Sequence, residues 1–148
     1  MQRLLGLASS DTISSPQASL VARRYDGDSR IAFIHLGLLG FWGEWHTFPV
    51  AGLVPDTSKE SITDAYLAAF STTKLQGRYA DDFEDNDVIG LYDGSFAFST
   101  LDGESNGGVE HSEWYFWPVV KNLDRDDFWR KSPMGGTYHA RSILLGHF

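Results

Sequence analysis

The residue best suited to chemistry in this sequence is Glu44, which stands between Trp42 and Trp45 where a long apolar run ends. An apolar, tryptophan-rich setting disfavours a charged carboxylate, so it raises the pKa and keeps a proton available near neutral pH. A carboxyl group of this kind suits the general acid in hydrolysis of a glycosidic bond. That reaction normally needs a second carboxylate, about 5 to 9.5 Å from the first.

Asp93 is the best candidate for the second carboxylate, because it follows a strand predicted at residues 88–92. An aspartate before a glycine is also ordinary turn chemistry, so a structural role stays open for it. The same holds for Glu44, which pairs with Arg78 or caps a loop in the alternative interpretation.

Aromatic residues make up 14% of the chain and include five tryptophans. Flat rings with one polar edge suit the apolar faces of sugars, although core packing is the default for any single tryptophan. The planar fork of an arginine clamps a hydroxyl or carboxylate, or neutralises a nearby acid. The residues predicted to bind substrate are Trp42, Trp45, His46, Arg78 and Trp117.

A metal site is the alternative for His46, with His35, His111, His139 and His147 as further ligands. Their spacing matches no zinc signature such as His-Glu-x-x-His, so we predict neither a metal nor another cofactor. His35 is instead expected to be a hydrogen-bonded core histidine. Catalysis by Ser, His and Asp is disfavoured because the Gly-x-Ser-x-Gly motif is absent.

The amino-acid composition limits the classes of partner that this chain is expected to bind. The 148 residues include 20 acidic and 12 basic side chains, giving a formal charge of −8 without a block of Lys or Arg, which argues against nucleic acid binding. Cysteine is absent, which excludes disulfides and thiolate chemistry but leaves the compartment open. The apolar start at residues 4–8 is shorter than a signal-peptide core or a membrane span, so we expect a soluble chain without a membrane partner.

The element expected to position Glu44 is a strand that begins at Ile31. Between Ile31 and Phe41 only His35 is polar, which is typical of a strand covered on both faces of a parallel sheet. The glycines at positions 37, 40 and 43 argue against a helix, since each costs about 1 kcal/mol in a helix interior. Glu44 would then lie at the carboxyl end of a parallel strand, where α/β folds place their chemistry.

The other segments predict alternating helices and strands. Residues 1–15 are expected to be a loosely ordered lead-in to one domain over 16–148. The predicted elements are a helix from Pro16 that breaks at residues 26–28, a helix opened by a capping box at 57–60, strands at 74–79 and 88–92, a helix at 111–122 interrupted near Pro118, a helical turn at 124–130, and a strand from Pro133. This order predicts the α/β class with a mostly parallel sheet.

Residues 24–46, with their tryptophan-flanked glutamate, resemble the family catalogued as domain of unknown function 4832, and so do residues 74–79, 93–100 and 133–136. The resemblance covers about residues 20–138. It implies a glycoside-hydrolase-like (β/α)8 barrel in which Glu44 holds the acid/base position. The chain is too short for a whole barrel of about 250 residues, so the resemblance implies a partial TIM-type barrel that lacks its opening strands.

Two departures from the family pattern bear on activity. Gly94 stands where a second aspartate is expected, and Thr137 stands where the resemblance implies the second catalytic glutamate. The sequence therefore predicts a glycoside-hydrolase-like protein with Glu44 as general acid, or alternatively an inactive barrel fragment or carbohydrate-binding pseudoenzyme. Missing strands would also expose a sheet edge, which favours self-association.

Overall fold

A computed structural model describes residues 10–47, 50, 52–96, 98–101 and 115–138 of the chain. Its helices and strands are, in order, α1 (Ser10–Tyr25), β1 (Phe33–His35), α2 (Asp56–Ala69), β2 (Lys74–Gly77), β3 (Gly90–Phe96), α3 (Phe116–Asn122) and β4 (Met134–Tyr138). Single 3₁₀ turns lie at Phe41–Gly43, Asp81–Phe83 and Phe128–Arg130. The predicted alternation of helices and strands is therefore confirmed.

The strands form one four-stranded sheet in the order β1-β2-β3-β4, and every neighbouring pair runs parallel. His35 is opposite Gln76, which is opposite Gly90, and Tyr92 is opposite Gly135. The predicted α/β chain with a parallel sheet is thus correct. No helix in the described part of the chain is long and apolar enough to cross a membrane.

The chain divides into two compact units, one formed by Met1–Ala32 and Leu36–Thr73, the other by Phe33–His35 and Lys74–Phe148. The predicted domain over residues 16–148 stays a prediction. In the first unit α1 packs on α2, with Ala18 and Ala22 facing Ile62 and Tyr66 as the buried apolar side chains of the two helices.

A carboxylate holds the end of α1 against the end of α2 in this unit. One oxygen of Asp26 accepts hydrogen bonds from the amides of Thr72 and Thr73, and the other accepts from the amide and hydroxyl of Ser71. These bonds, that of Thr73 first, hold the pKa of Asp26 well below its usual range. Gly27, whose φ is 76°, turns the chain here and donates its amide to the Thr73 hydroxyl.

In the second unit one face of the sheet is covered by apolar side chains. Leu91 of β3 is buried in a cluster with Ala80, Val120 and Phe128, and Met134 of β4 packs against this cluster. Since side chains alternate along a strand, the positions directly before and after Leu91 in β3, and before and after Met134 in β4, point to the opposite face of the sheet. The sheet of the second unit therefore has one apolar face, which is covered by helix α3, and an opposite face of different composition.

The prediction of a long buried strand from Ile31 is wrong. Strand β1 has three residues, and Phe33 is 39% exposed. The chain leaves extended geometry soon after, because Leu38, Gly40 and Gly43 all have φ near +70°. Glu44 therefore follows a 3₁₀ turn and not a strand end.

Several predicted boundaries also need correction. Helix α1 begins at Ser10, so Pro16 lies inside it and not in its first turn. Helix α2 is capped by Pro55 without a side-chain hydrogen bond, so the capping box predicted at Thr57 is not formed. In α3, Pro118 is the third residue, where it removes no intrahelical hydrogen bond, and the helix is not interrupted.

Candidate functional site

Glu44 lies in a tight loop of the first unit that closes on itself. The amide of Phe41 donates to the carbonyl of His46 at 2.8 Å, and the amide of Trp45 donates to the carbonyl of Leu39 at 2.9 Å. A Cβ at Gly40 would lie 2.3 Å from the His46 carbonyl oxygen, so only glycine fits at the point where the two sides of the loop meet. The loop is fixed by backbone contacts, which gives Glu44 a defined position.

The loop contains two residues in unfavourable backbone conformations. Leu38 has φ 73° and Trp45 has φ 70°, a region that costs a non-glycine residue roughly 1 to 2 kcal/mol. Strain of this kind collects at functional sites, because surrounding structure must hold it in place. The loop at residues 38–46 is therefore a candidate functional site.

The surroundings of Glu44 differ from the predicted apolar enclosure. Its side chain is 40% exposed, and its Oε2 atom lies 3.5 Å from Nε2 of His46. The Trp45 residue is only 3% exposed, so its indole serves packing more than ligand stacking. The side chain of Trp42 lies outside the described part of the chain. Of the predicted substrate contacts here, His46 is brought beside Glu44.

The second unit presents a different set of side chains on the sheet face opposite the apolar cluster. We call it the polar face, and it carries Phe33, His35, Lys74, Gln76, Tyr92, Gly135 and Thr137. The rings of His35 and Tyr92 stack at 4.0 Å with 2° between planes, and Phe33 stacks on His35 at 5.5 Å. Three rings thus line up along one side of the sheet.

Gln76 ties this face together from a fully buried position. Its Nε2 atom lies 3.1 Å from the carbonyl oxygen of Pro133 and 3.4 Å from that of Leu91. Because both carbonyls can only accept, this atom must be the amide nitrogen, and Oε1 then faces Nε2 of His35 at 3.0 Å. The imidazole therefore carries its proton on Nε2, and Nδ1 is the acceptor nitrogen.

Burial lowers the pKa of His35, and the hydrogen bond that it donates to Gln76 raises the pKa only in part. The ring is therefore neutral at physiological pH. The expectation of a hydrogen-bonded histidine is confirmed. Its bonding partner was not predicted, since a lone glutamine in a short strand carries no motif.

Asp93 lies inside β3 and not after its end, and it is only 4% exposed. Its Oδ1 atom accepts the amide of Ser95 at 2.8 Å, and its Oδ2 atom accepts the hydroxyl of Thr100 at 2.5 Å. The first bond is the local turn contact that aspartates commonly make. Asp93 therefore has a structural role in the connection that follows β3, and it shares the side of Leu91 and not the polar face.

Arg78 and Asp93 line one small cavity of about 30 Å³, together with Gly94, Ser95 and Ser99. That volume holds a water molecule but not a sugar ring. A Cβ at position 94 would lie 2.8 Å from Nε of Arg78, so the guanidinium rests against the glycine backbone. Arg78 also lies over the ring of Tyr79, at 5.3 Å from its centre.

The last two predicted residues lie elsewhere in the second unit. Trp117 of α3 packs against the apolar cluster, with Nζ of Lys121 5.6 Å from its ring centre, so its indole belongs to the helix-covered side. Thr137 lies exposed on β4. No three histidine, aspartate or glutamate side chains come together to hold a metal among the described residues, and His111, His139 and His147 lie outside them.

Glu44, Trp45 and His46 thus belong to the first unit, whereas Arg78, Asp93 and Trp117 belong to the second. Comparison with known proteins adds nothing to this geometry. A scan of protein families, a search of curated proteins and a search of solved structures each found no match to this chain.

Proposed function

We propose that this chain is a catalytically silent, carbohydrate-binding relative of the domain of unknown function 4832 family, built as part of a TIM-type (β/α) barrel. The four parallel strands follow the sequence order, as consecutive strands of such a barrel do. Helix α2 lies between β1 and β2 and α3 between β3 and β4, whereas a 3₁₀ turn takes the place of a helix between β2 and β3. Self-association through a bare sheet edge is part of the same proposal.

The observation that carries the proposal is the row of rings on the polar face. Phe33 is 39% exposed at the end of the row, so a sugar has an aromatic surface to stack on. Beside it, the neutral His35 offers Nδ1 as an acceptor for a hydroxyl, and Gln76 fixes the tautomer. An apolar surface with a few oriented polar atoms is the usual composition of a small-ligand site.

Catalytic silence follows from the carboxylates. Both oxygens of Asp93 already accept hydrogen bonds from neighbouring residues of its own segment, and the residue is buried. Thr137 occupies the position where the family resemblance implies the second catalytic glutamate. A hydrolase that acts through two carboxylates therefore lacks its second group in this chain.

Glycoside hydrolysis is the second candidate, and the contact between Glu44 and His46 favours it. A carboxyl oxygen 3.5 Å from an imidazole nitrogen, at a partly exposed position, needs a small side-chain movement to reach the hydrogen-bond distance at which a proton is passed. In this version Glu44 acts as the general acid on the leaving-group oxygen.

The binding proposal is tested by calorimetric titration of soluble oligosaccharides into the wild type, Phe33→Ala and Trp129→Ala. Trp129 is 61% exposed in the 3₁₀ turn and serves as a matched exposed aromatic outside the polar face. Loss of one stacking ring costs about 1 kcal/mol, so Phe33→Ala should bind roughly fivefold more weakly. Equal affinities in all three proteins, or no binding by any, would refute the proposal.

Hydrolysis is tested separately with wild type and Glu44→Gln on a panel of aryl glycosides. Glutamine keeps the shape but cannot donate the proton of a carboxylic acid. The silent proposal expects both proteins to release product at the same background rate. A rate at least a hundredfold higher in wild type would establish the second candidate in its place.

A further inference from the structure

We infer that two copies of this chain close their sheets into one eight-stranded barrel, in which β4 of each copy pairs with β1 of the other. The inference rests on the barrel fold proposed above but not on carbohydrate binding, because closing the barrel covers the polar face and leaves it open to a sugar only in the single chain. It names the partner as a second copy and names the two edges that meet.

Both outer strands of the sheet have backbone groups to offer. Among the described strands, β1 pairs only with β2 and β4 pairs only with β3. The amide of Leu91 donates to the carbonyl of Pro133, so alternation turns the backbone groups of Met134 and Gly136 toward the outer edge of β4. Gly136 is exposed, and such an edge is a template for another strand.

Strand direction decides which edges can meet. A two-fold axis perpendicular to the strands would pair β4 with β4 antiparallel and leave both β1 edges bare, whereas a two-fold axis along the barrel pairs β4 of each copy with β1 of the other. Pairing β4 with β1 of the second copy keeps all strands parallel and satisfies both edges in a single closed assembly. A closed barrel has no edge, which is how parallel sheets of this kind are completed.

The polar face already contains half of a barrel layer. Strands β1 and β3 lie on either side of β2, about 9.6 Å apart, yet the rings of His35 and Tyr92 stack at 4.0 Å. Both side chains must lean over β2, as on the inner side of a curved sheet. Barrel layers consist of four side chains from alternate strands, so the second copy would supply the other two.

Charge favours an approach through this face. The chain carries a formal charge of −8, which opposes association of two copies in general. The strand positions on the polar face include no acidic residue, since β2 adds only Lys74 and Gln76 and β4 adds Gly135 and Thr137. The strand positions that would meet therefore add no repulsion between acidic groups, and added salt, which screens the remaining charge, should strengthen the dimer.

The inference is tested by light scattering coupled to size-exclusion chromatography over a concentration series. We expect a mass twice the 16.5 kDa of one chain at high concentration. Thr137→Lys places an ammonium inside the closed barrel, which should weaken dimerisation about tenfold or more. Thr57→Lys, at an exposed site on α2, is the matched control and should dimerise as wild type does. Circular dichroism verifies that both variants fold.

The pairing of edges is tested by cross-linking, since the natural chain has no cysteine. A mixture of Phe33→Cys and Thr137→Cys chains, treated with a short bismaleimide, should give mainly the mixed product. A monomer at every concentration overturns the inference, as does a dimer that Thr137→Lys leaves intact or one that cross-links mainly like to like. A monomer that still binds oligosaccharide would overturn the dimer and leave the binding proposal standing.

Discussion

Replacing Gln76 by leucine is the sharpest test of the polar face, because one buried amide holds three strands and the β3–β4 connection together. Leucine has a similar volume and leaves no large cavity, so the loss is confined to hydrogen bonds. The substitution removes three hydrogen bonds of the Gln76 side chain. They are the bond accepted from His35 at 3.0 Å, the bond donated to the carbonyl of Pro133 at 3.1 Å, and a long bond donated to the carbonyl of Leu91 at 3.4 Å.

Each normal bond contributes about 1 kcal/mol net, and the long one contributes less. The Pro133 carbonyl still accepts the amide of Leu91, so it is not left without a partner. We therefore expect Gln76→Leu to lower the free energy of unfolding by about 2 kcal/mol. For a chain of this size that corresponds to a Tm lower by roughly 4 to 8 °C.

Urea unfolding of a double-mutant cycle isolates the bond between the two side chains. His35→Phe keeps a ring for stacking on Tyr92 but removes the imidazole nitrogen. The coupling energy between Gln76→Leu and His35→Phe should be about 1 kcal/mol. The NMR titration of His35 in Gln76→Leu should also show a further lowered pKa, since the lost bond raises it in the wild type.

Additive effects of the two substitutions, within about 0.3 kcal/mol, would refute the network. An unchanged titration of His35 in Gln76→Leu would refute the assigned proton on Nε2. A Gln76→Leu protein as stable as wild type would mean that the buried amide contributes nothing beyond its volume.

Three further predictions concern stability. Arg125 is 6% exposed and donates to the carbonyls of Phe83 and Asn86, so Arg125→Met should lower the free energy of unfolding by about 3 kcal/mol, as measured by urea unfolding. Gly77→Ala places a Cβ 2.0 Å from the buried ring of Phe83 and should cost about 2 kcal/mol, partly restored by adding Phe83→Leu. Because Asp26 has a lowered pKa in the folded chain, its stabilisation is present above pH of about 4 and lost as pH falls further; Asp26→Asn should have a lower Tm at pH 7 and a flatter fall in acid.

The order of elements could be predicted because each signal is local. The four-residue recurrence of Ile62, Tyr66 and Phe70 places the buried side of α2, and all three are buried. The short segments around Leu75 and Leu91, each next to a glycine-containing stretch, are long enough for a strand but not for a helix. Such patterns depend on neighbours in sequence, so they survive without knowledge of the packed structure.

The position of Glu44 could not be predicted in the same way. The apolar run before it fits a buried strand, and the glycines at 40 and 43 argue against a helix without distinguishing a strand from a turn. Both glycines adopt positive φ and turn the chain. Glycine permits this conformation, but the presence of a glycine does not by itself predict it. A glycine at every third position is the signal that favours a turn over a strand here.

The network around Gln76 escaped prediction for another reason. Its partners come from β1, β3 and the residue before β4, so they are brought together only when the parallel register is known. A single glutamine between Leu75 and Gly77 looks like an ordinary polar residue on a half-exposed strand. Its burial becomes apparent only in the assembled sheet.

The two departures from the family pattern also acquire different meanings in the structure. At position 94 a side chain would lie 2.8 Å from Nε of Arg78, so the glycine and the placement of the guanidinium depend on each other. Restoring an acidic residue there would displace Arg78 before it supplied a catalytic group. Thr137 is different, because it is exposed on β4. A carboxylate introduced at 137 would therefore take an exposed strand position, whereas one introduced at 94 would press on the guanidinium in the cavity that Arg78 and Asp93 line.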